Sequence, residues 1–135
     1  MYPMNPYEKY KENSIYTKSP GELTLMLFEG CWKFLKKAKV AMEEKNIQDA
    51  SNNLIKAENI ILELINSLDF NYEISHNLFK VYDYVYHELI QINLKKDVKR
   101  LEPIIDIMYG YYETWQEAVK QDRINKHSNG AGGYV

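Results

Sequence analysis

Apolar residues recur every three or four positions between residues 47 and 68, and this spacing constrains the fold more than any other feature of the sequence. Such a repeat places apolar side chains on one face of an α-helix, whereas a half-buried β-strand would need strict alternation. The repeat runs for about six helical turns at 3.6 residues a turn, which is typical of a long helix packed against other helices. It consists of Ile47, Ala50, Leu54, Ala57, Ile61, Leu64 and Leu68.

Similar repeats predict three further helices. Ser19 can cap the first of them, Pro20 suits its first position because no N–H is needed there, and Glu22 completes a capping box. Gly110 lies inside the fourth helix, where a small residue permits the close approach of another helix. The predicted helices are 20–45, 47–67, a third that begins at residue 71 or 72, and 97–122.

The start of the fourth helix has two open interpretations, because Pro103 lies close to it. Proline is tolerated in the first turn of a helix but removes a hydrogen bond farther in. Pro103 is therefore either a first-turn residue that follows a short capping turn, or the site of a kink about one turn into the helix.

Short connections between these helices predict the architecture. Only a few residues separate each helix from the next, and short links make consecutive long helices antiparallel neighbours. We therefore expect an all-α protein, an antiparallel up-down-up-down four-helix bundle formed by residues 19–122. Residues 1–18 form a polar and aromatic N-terminal arm, and residues 123–135 form a flexible C-terminal tail because they are polar and rich in glycine.

Composition and charge exclude several classes of function. Seventeen basic residues against nineteen acidic ones give a net charge of −2, so the basic excess needed for nucleic-acid binding is missing. No apolar stretch approaches the roughly 20 residues that cross a bilayer, and we expect no secretory leader, because the first residues lack a basic segment followed by an apolar one. With Cys31 as its one cysteine, the chain has no intrachain disulfide. We expect a soluble protein without membrane insertion.

Signals of catalysis or metal binding are weak. Glu73 and His76 have the spacing of one half of a di-iron site, but a second Glu-x-x-His pair is missing. Cys31 has the spacing of a core residue, and no glycine-rich loop suits a phosphate group. The sequence therefore predicts no enzyme, no catalytic residue, no metal site and no cofactor.

The chain carries more apolar positions than a bundle of four helices needs, which is about three in seven. The first helix has two apolar stripes, and the other three helices each add a second set of apolar residues. This surplus has four possible explanations: a well-packed core, a cover formed by the N-terminal arm, a homodimer interface, or a groove for the amphipathic helix of a partner. The second sets are Ile55, Leu62 and Ile65; Phe79, Tyr86 and Ile90; and Ile104, Ile107 and Tyr111.

One segment near the N-terminus resembles the signature of a known family. Residues 5–34 read NPYEKYKENSIYTKSPGELTLMLFEGCWKF, with Tyr10, Ile15 and the Thr17-x-Ser19-Pro20 motif ahead of a run rich in leucine that ends at Gly30. Residues 56–64, KAENIILEL, and the late Trp115 match as well. These residues resemble the flagellar secretion chaperone family FliS over about residues 5–121. The family commonly has Gln at Glu58, a glycine-containing turn near Asn71, and no proline at Pro103.

The resemblance implies a chaperone of the bacterial cytosol that is not an enzyme. FliS proteins are four-helix bundles that bind the disordered C-terminal segment of flagellin, prevent its premature polymerisation, and help to bring it to the export gate of the flagellar type III secretion system. This segment is amphipathic, so apolar grooves suit it. The alternative is a self-associating helical-bundle adaptor, such as a homodimer, without a disordered client.

Two sets of residues follow as candidate sites. We expect the arm to occupy part of the groove in the free protein, through Tyr7, Tyr10 and Ile15, and its tyrosines are also the candidates for contact with the export gate. The heptad pattern assigns several members of the second set to the core as well. The candidate flagellin-binding residues are Leu54, Ala57, Glu58, Ile61, Leu62, Ile65, Leu78 and Tyr82.

Overall fold

A computed structural model describes residues 18–132, and the side chains of residues 18–126. Each helix of this part of the chain packs against the helix before it and the helix after it, and the last packs against the first. This arrangement confirms the antiparallel four-helix bundle predicted from the sequence. The four helices are α1 (Pro20–Glu43), α2 (Ile47–Asn66), α3 (Glu73–Lys95) and α4 (Val98–Gly132).

Side-chain caps determine where the first two helices begin. The Ser19 hydroxyl accepts a hydrogen bond from the backbone N–H of Glu22 at 3.2 Å, and Pro20 occupies the first turn, as predicted. The Asn46 side chain accepts a hydrogen bond from the N–H of Asp49 at 3.2 Å. Each cap satisfies one of the N–H groups that the first helical turn leaves without a backbone partner.

The structure excludes the first of the two interpretations of Pro103. The Asp97 carboxylate accepts a hydrogen bond from the N–H of Lys99 at 3.1 Å, so α4 begins just after Asp97. Pro103 therefore lies inside the helix, in its second turn rather than its first.

The predicted end of the fourth helix near Asp122 is wrong, because α4 continues to Gly132. Polar composition indicates exposure to solvent, but it does not prevent helical hydrogen bonds within the backbone. Two ion pairs support the extension: Lys126 lies 3.0 Å from Asp122 one turn earlier, and Arg123 lies 3.3 Å from Glu22 of α1.

The core is formed by apolar residues from all four helices. In α2 it follows the predicted repeat from Ala50 to Leu64, whereas Ile47, in the first turn, is exposed. In α3 the large buried residues are again spaced by three and four positions. In α1 the core takes residues from both predicted stripes, because the helix packs against two neighbours. The fully buried large side chains include Phe28, Leu35, Leu54, Ile61, Leu64, Tyr82, Leu89, Ile92, Leu101, Ile104 and Met108.

Two glycines inside the helices, Gly30 and Gly110, have different surroundings. A Cβ at Gly30 would lie 3.3 Å from Cδ1 of Ile60, so α1 and α2 approach closely there. A Cβ at Gly110 would meet nothing within 4 Å. The expectation that Gly110 permits a close helix approach is therefore wrong, and Gly30 has that role instead.

Gly110→Ala should stabilise the protein. Alanine costs less backbone entropy than glycine in a helix, and the added methyl group has space at this position, so the free energy of unfolding should rise by about 1 kcal/mol. Urea unfolding followed by circular dichroism measures the change. Gly30→Ala is the matched control and should gain less, because its methyl group displaces Ile60. A loss of stability in Gly110→Ala would contradict the assignment.

Candidate functional site

We infer a groove between α2 and α3, on the outside of the bundle, from the register of the two helices. The Ser51 hydroxyl lies 3.0 Å from Oδ1 of Asn93, and this hydrogen bond fixes the register of the two helices. Steps of three and four residues from this pair place one set of side chains along the same edge of the helix pair. We call this surface the α2–α3 groove. Its residues are Ile55, Glu58, Leu62 and Ile65 of α2 with Phe79, Tyr86, Ile90 and Leu94 of α3.

The α2–α3 groove is apolar and open to solvent. Ile55 is 46% exposed, Leu62 38% and Phe79 37%. At one end of the groove the apolar surface continues onto the connection between the helices, where the Phe70 ring lies 5.8 Å from that of Phe79. At the other end, Glu58, Ile90 and Leu94 line a shallow cleft of about 370 Å³. A contiguous apolar surface of this kind is typical of an interaction site.

The candidate binding residues divide into two groups. Leu54, Ala57, Ile61 and Tyr82 are buried in the core, so in this conformation their side chains are not accessible to a partner. Glu58, Ile65 and Leu78 are half-buried, and Leu62 is exposed.

The candidate residues omit five members of the α2–α3 groove. One is Leu94, and the other four, Ile55, Phe79, Tyr86 and Ile90, belong to the second apolar sets of their helices. That surplus was the signal that could have identified them. The arm residues Tyr7, Tyr10 and Ile15 lie outside the described residues.

Glu58 is the charged residue among the named members of the α2–α3 groove. Its Oε1 is buried without a hydrogen-bond partner, and burial raises the pKa of the carboxyl group. The ammonium group of Lys96, which lines the same cleft, is 2.6 Å from the backbone oxygen and from Oδ1 of Asn93. No cation of the described residues therefore pairs with Glu58.

A second apolar surface lies between α1 and α4. The Trp32 ring of α1 is 4.7 Å from that of Tyr109 and stacks 5.4 Å from that of Tyr112. The ammonium group of Lys36 lies 4.5 Å from the centre of the Trp32 ring. Because tyrosine and tryptophan combine an apolar body with a polar tip, this aromatic cluster suits a surface that is wet in one state and covered in another.

Groups capable of chemistry are sparse in the described part of the chain. Among these residues, no three His, Cys, Asp or Glu side chains lie close enough together to hold a metal ion. His76, half of the Glu-x-x-His pair, has Nε2 at 3.1 Å from the backbone oxygen of Phe70. Burial raises the pKa of the Cys31 thiol to about 12, so it is protonated at neutral pH.

No helix within residues 18–132 is both long and apolar enough to cross a membrane.

Comparisons with known proteins agree with this arrangement. The model of a family described as flagellar protein FliS matches residues 3–122. The flagellar secretion chaperone FliS of Bacillus subtilis is 40% identical over 126 residues, which are 93% of this chain and 95% of that protein. The protein of the same name from Campylobacter jejuni is 30% identical over 120 residues, covering 87% of this chain and 94% of the relative.

A solved structure is similar in fold. The crystal structure of a flagellar chaperone from bacteria matches with a TM-score of 0.70 and 23% identity, and the match covers 85% of this chain and 95% of that one. At this identity the likeness concerns the fold alone, whereas the family model and the relatives concern the sequence. The chain therefore belongs to the FliS family of flagellar secretion chaperones.

Proposed function

We propose that this protein is a cytosolic chaperone that binds the disordered C-terminal segment of flagellin, prevents its premature polymerisation, and assists its export by the flagellar type III secretion system. The observation that carries the proposal is the exposed apolar α2–α3 groove on a bundle whose core is already filled. Membership of a family of flagellar chaperones supports the same role.

The groove has the properties needed for an amphipathic helix. Such a helix presents apolar anchors at every third or fourth residue, and two antiparallel helices that flank a groove offer sites at the same spacing. Ile55 and Leu62 of α2, seven residues apart, are two sites of this kind. We propose that the client helix inserts its apolar face between these side chains and Phe79 of α3.

A disordered client needs more than one groove. Such a segment loses conformational entropy when it orders, so its affinity depends on a large wrapped surface. The aromatic cluster of Trp32, Tyr109 and Tyr112 on the α1–α4 side of the bundle supplies further apolar area. We propose that the bound segment continues around the bundle onto this cluster.

Binding of this kind explains how polymerisation is prevented. The apolar face of the flagellin segment also forms the contacts between subunits in the filament. While the chaperone covers that face, another flagellin subunit cannot use it.

Export requires delivery of the complex to the gate of the secretion apparatus, for which the arm tyrosines Tyr7 and Tyr10 are the proposed contacts. Binding and release through burial of apolar surface need no nucleotide.

The alternative function is a self-associating adaptor without a disordered client. The same exposed apolar residues favour it, because a homodimer would also cover them. The two functions differ in what covers the α2–α3 groove, so one pair of substitutions in the groove tests both.

Leu62→Glu combined with Ile65→Glu should weaken binding of the flagellin C-terminal segment by at least about tenfold, since two charges would face the apolar side of the client helix. Fluorescence anisotropy with a labelled segment measures the affinity, and circular dichroism checks the fold. Because Ile65 packs against the core, Leu62→Glu alone is the fallback variant.

Ile124→Glu is the matched control, because Ile124 is a 47% exposed aliphatic residue of α4 outside both the α2–α3 groove and the aromatic cluster. It should bind the segment as the unmodified protein does. A folded double variant with unchanged affinity would show that the groove is the wrong surface. Light scattering over a range of concentrations tests the adaptor: a dimer that dissociates in the double variant, together with no binding of the segment, would support that alternative.

Deletion of residues 1–17 tests the proposed role of the arm. If Tyr7, Tyr10 and Ile15 cover part of the groove in the free protein, the shortened chain should bind the flagellin segment with a higher association rate, or bind more of a dye specific for apolar surface. Stopped-flow fluorescence measures the first quantity and steady-state fluorescence the second. Unchanged values of both would contradict this role. Alanine substitution of the three residues in the full chain serves as the control for chain length.

A further inference from the structure

The α2–α3 groove contains a carboxylate that the described part of the chain leaves without a partner. Oε1 of Glu58 is buried and accepts no hydrogen bond, and the side chain forms no ion pair with the described residues. Ile90 and Leu94 line the cleft beside it. A buried polar atom without a partner is unfavourable, and a carboxylate more so than a neutral group. Removing the groove from water would increase this penalty unless the occupant supplied a donor.

The cations nearest to Glu58 along the helices are engaged elsewhere. Lys96 lines the same cleft, but its ammonium group is held by two oxygen atoms of Asn93. Lys56 is on the same helix, but its ammonium group lies 5.4 Å from the centre of the Phe34 ring of α1, on the other side of α2. Lys56 therefore does not compensate the charge of the Glu58 carboxylate.

Two basic residues on or beside α3 are held by carboxylates of that helix. His87 is the basic residue one turn beyond Asp83, and its Nε2 lies 3.3 Å from the Asp83 carboxylate. Arg100 of α4 pairs with Glu88 on the opposite flank of α3. The same steps of three and four residues place Asp83 on this edge of α3 as well, but Asp83 has the His87 imidazole beside it, whereas Glu58 has no partner among the described residues.

We propose that Glu58 is a specificity residue of the groove and that it binds a lysine or arginine side chain carried by the docked client helix. This inference rests on the proposed function, because it assigns the chemistry of one position on the client. A cation fits better than a neutral donor since a charge-assisted hydrogen bond is stronger and also compensates the buried charge.

The pair would also select the register of the client. A helix that placed an apolar side chain over Glu58 would bury the carboxylate without a partner, and such mismatches are penalised more heavily than the loss of one apolar contact. Apolar anchors repeat along an amphipathic helix, so they permit several registers. A single ion pair permits only one register.

Glu58→Gln tests the inference because it removes the charge with almost no change in shape. Affinity for the flagellin C-terminal segment should fall by about tenfold, and the dependence of affinity on salt should decrease. Glu63→Gln is the matched control: Glu63 is an exposed glutamate of the same helix outside the groove, and its substitution should leave the affinity unchanged. The thermal midpoint of Glu58→Gln should equal or exceed that of the unmodified protein, because an unpaired charge has been removed.

Substitution of each lysine and arginine of the flagellin segment by Gln, one at a time, identifies the partner. One of these variants should lose affinity for the unmodified chaperone and lose little more against Glu58→Gln. If Glu58→Gln binds as tightly as the unmodified protein, or if no cation of the segment couples to it, the inference is wrong while the proposed function stands. If the segment fails to bind the unmodified chaperone, both are wrong.

Discussion

The contact of the Phe28 ring with three aromatic rings holds the bundle together. Phe28 of α1 stacks on Tyr111 of α4 at 5.5 Å, meets Trp115 of α4 edge-on at 5.5 Å, and lies 6.3 Å from Tyr82 of α3. Of the neighbouring helix pairs, α3 and α4 approach each other least. A buried ring from α1 therefore joins them, and aromatic contacts of this geometry stabilise a core beyond the area that they bury.

Because these contacts close the core, some apolar residues remain on the surface of the bundle. In α2 and α3 the core takes the first set of side chains, so the second sets on these two helices have no place in it and line the α2–α3 groove. In a chain that functions alone, such residues would be a liability for aggregation. Their position along one groove, with the unpartnered carboxylate of Glu58 among them, is instead consistent with a surface built for a helix that arrives later.

Periodicity made most of the fold predictable from the sequence, but not the details of its surface. The repeat from Ala50 to Leu64 and the cap at Ser19 are local signals, and the structure follows both. The pattern placed Ile61 in the repeat and Leu62 in the second set, but it could not show which surface the second set lines, because that depends on where α3 lies. The continuation of α4 past Asp122 and the missing partner of Glu58 depend on contacts between helices, which composition does not encode.

Titration calorimetry of the protein with the C-terminal segment of the flagellin from the same genome, with circular dichroism before and after mixing, tests the central claim most directly. If the grooves order a disordered client, the segment should bind tightly, with a negative heat-capacity change from apolar burial and more helix in the mixture than in its separate components. A well-folded protein that releases no heat over a range of temperatures and gains no helix would contradict the account.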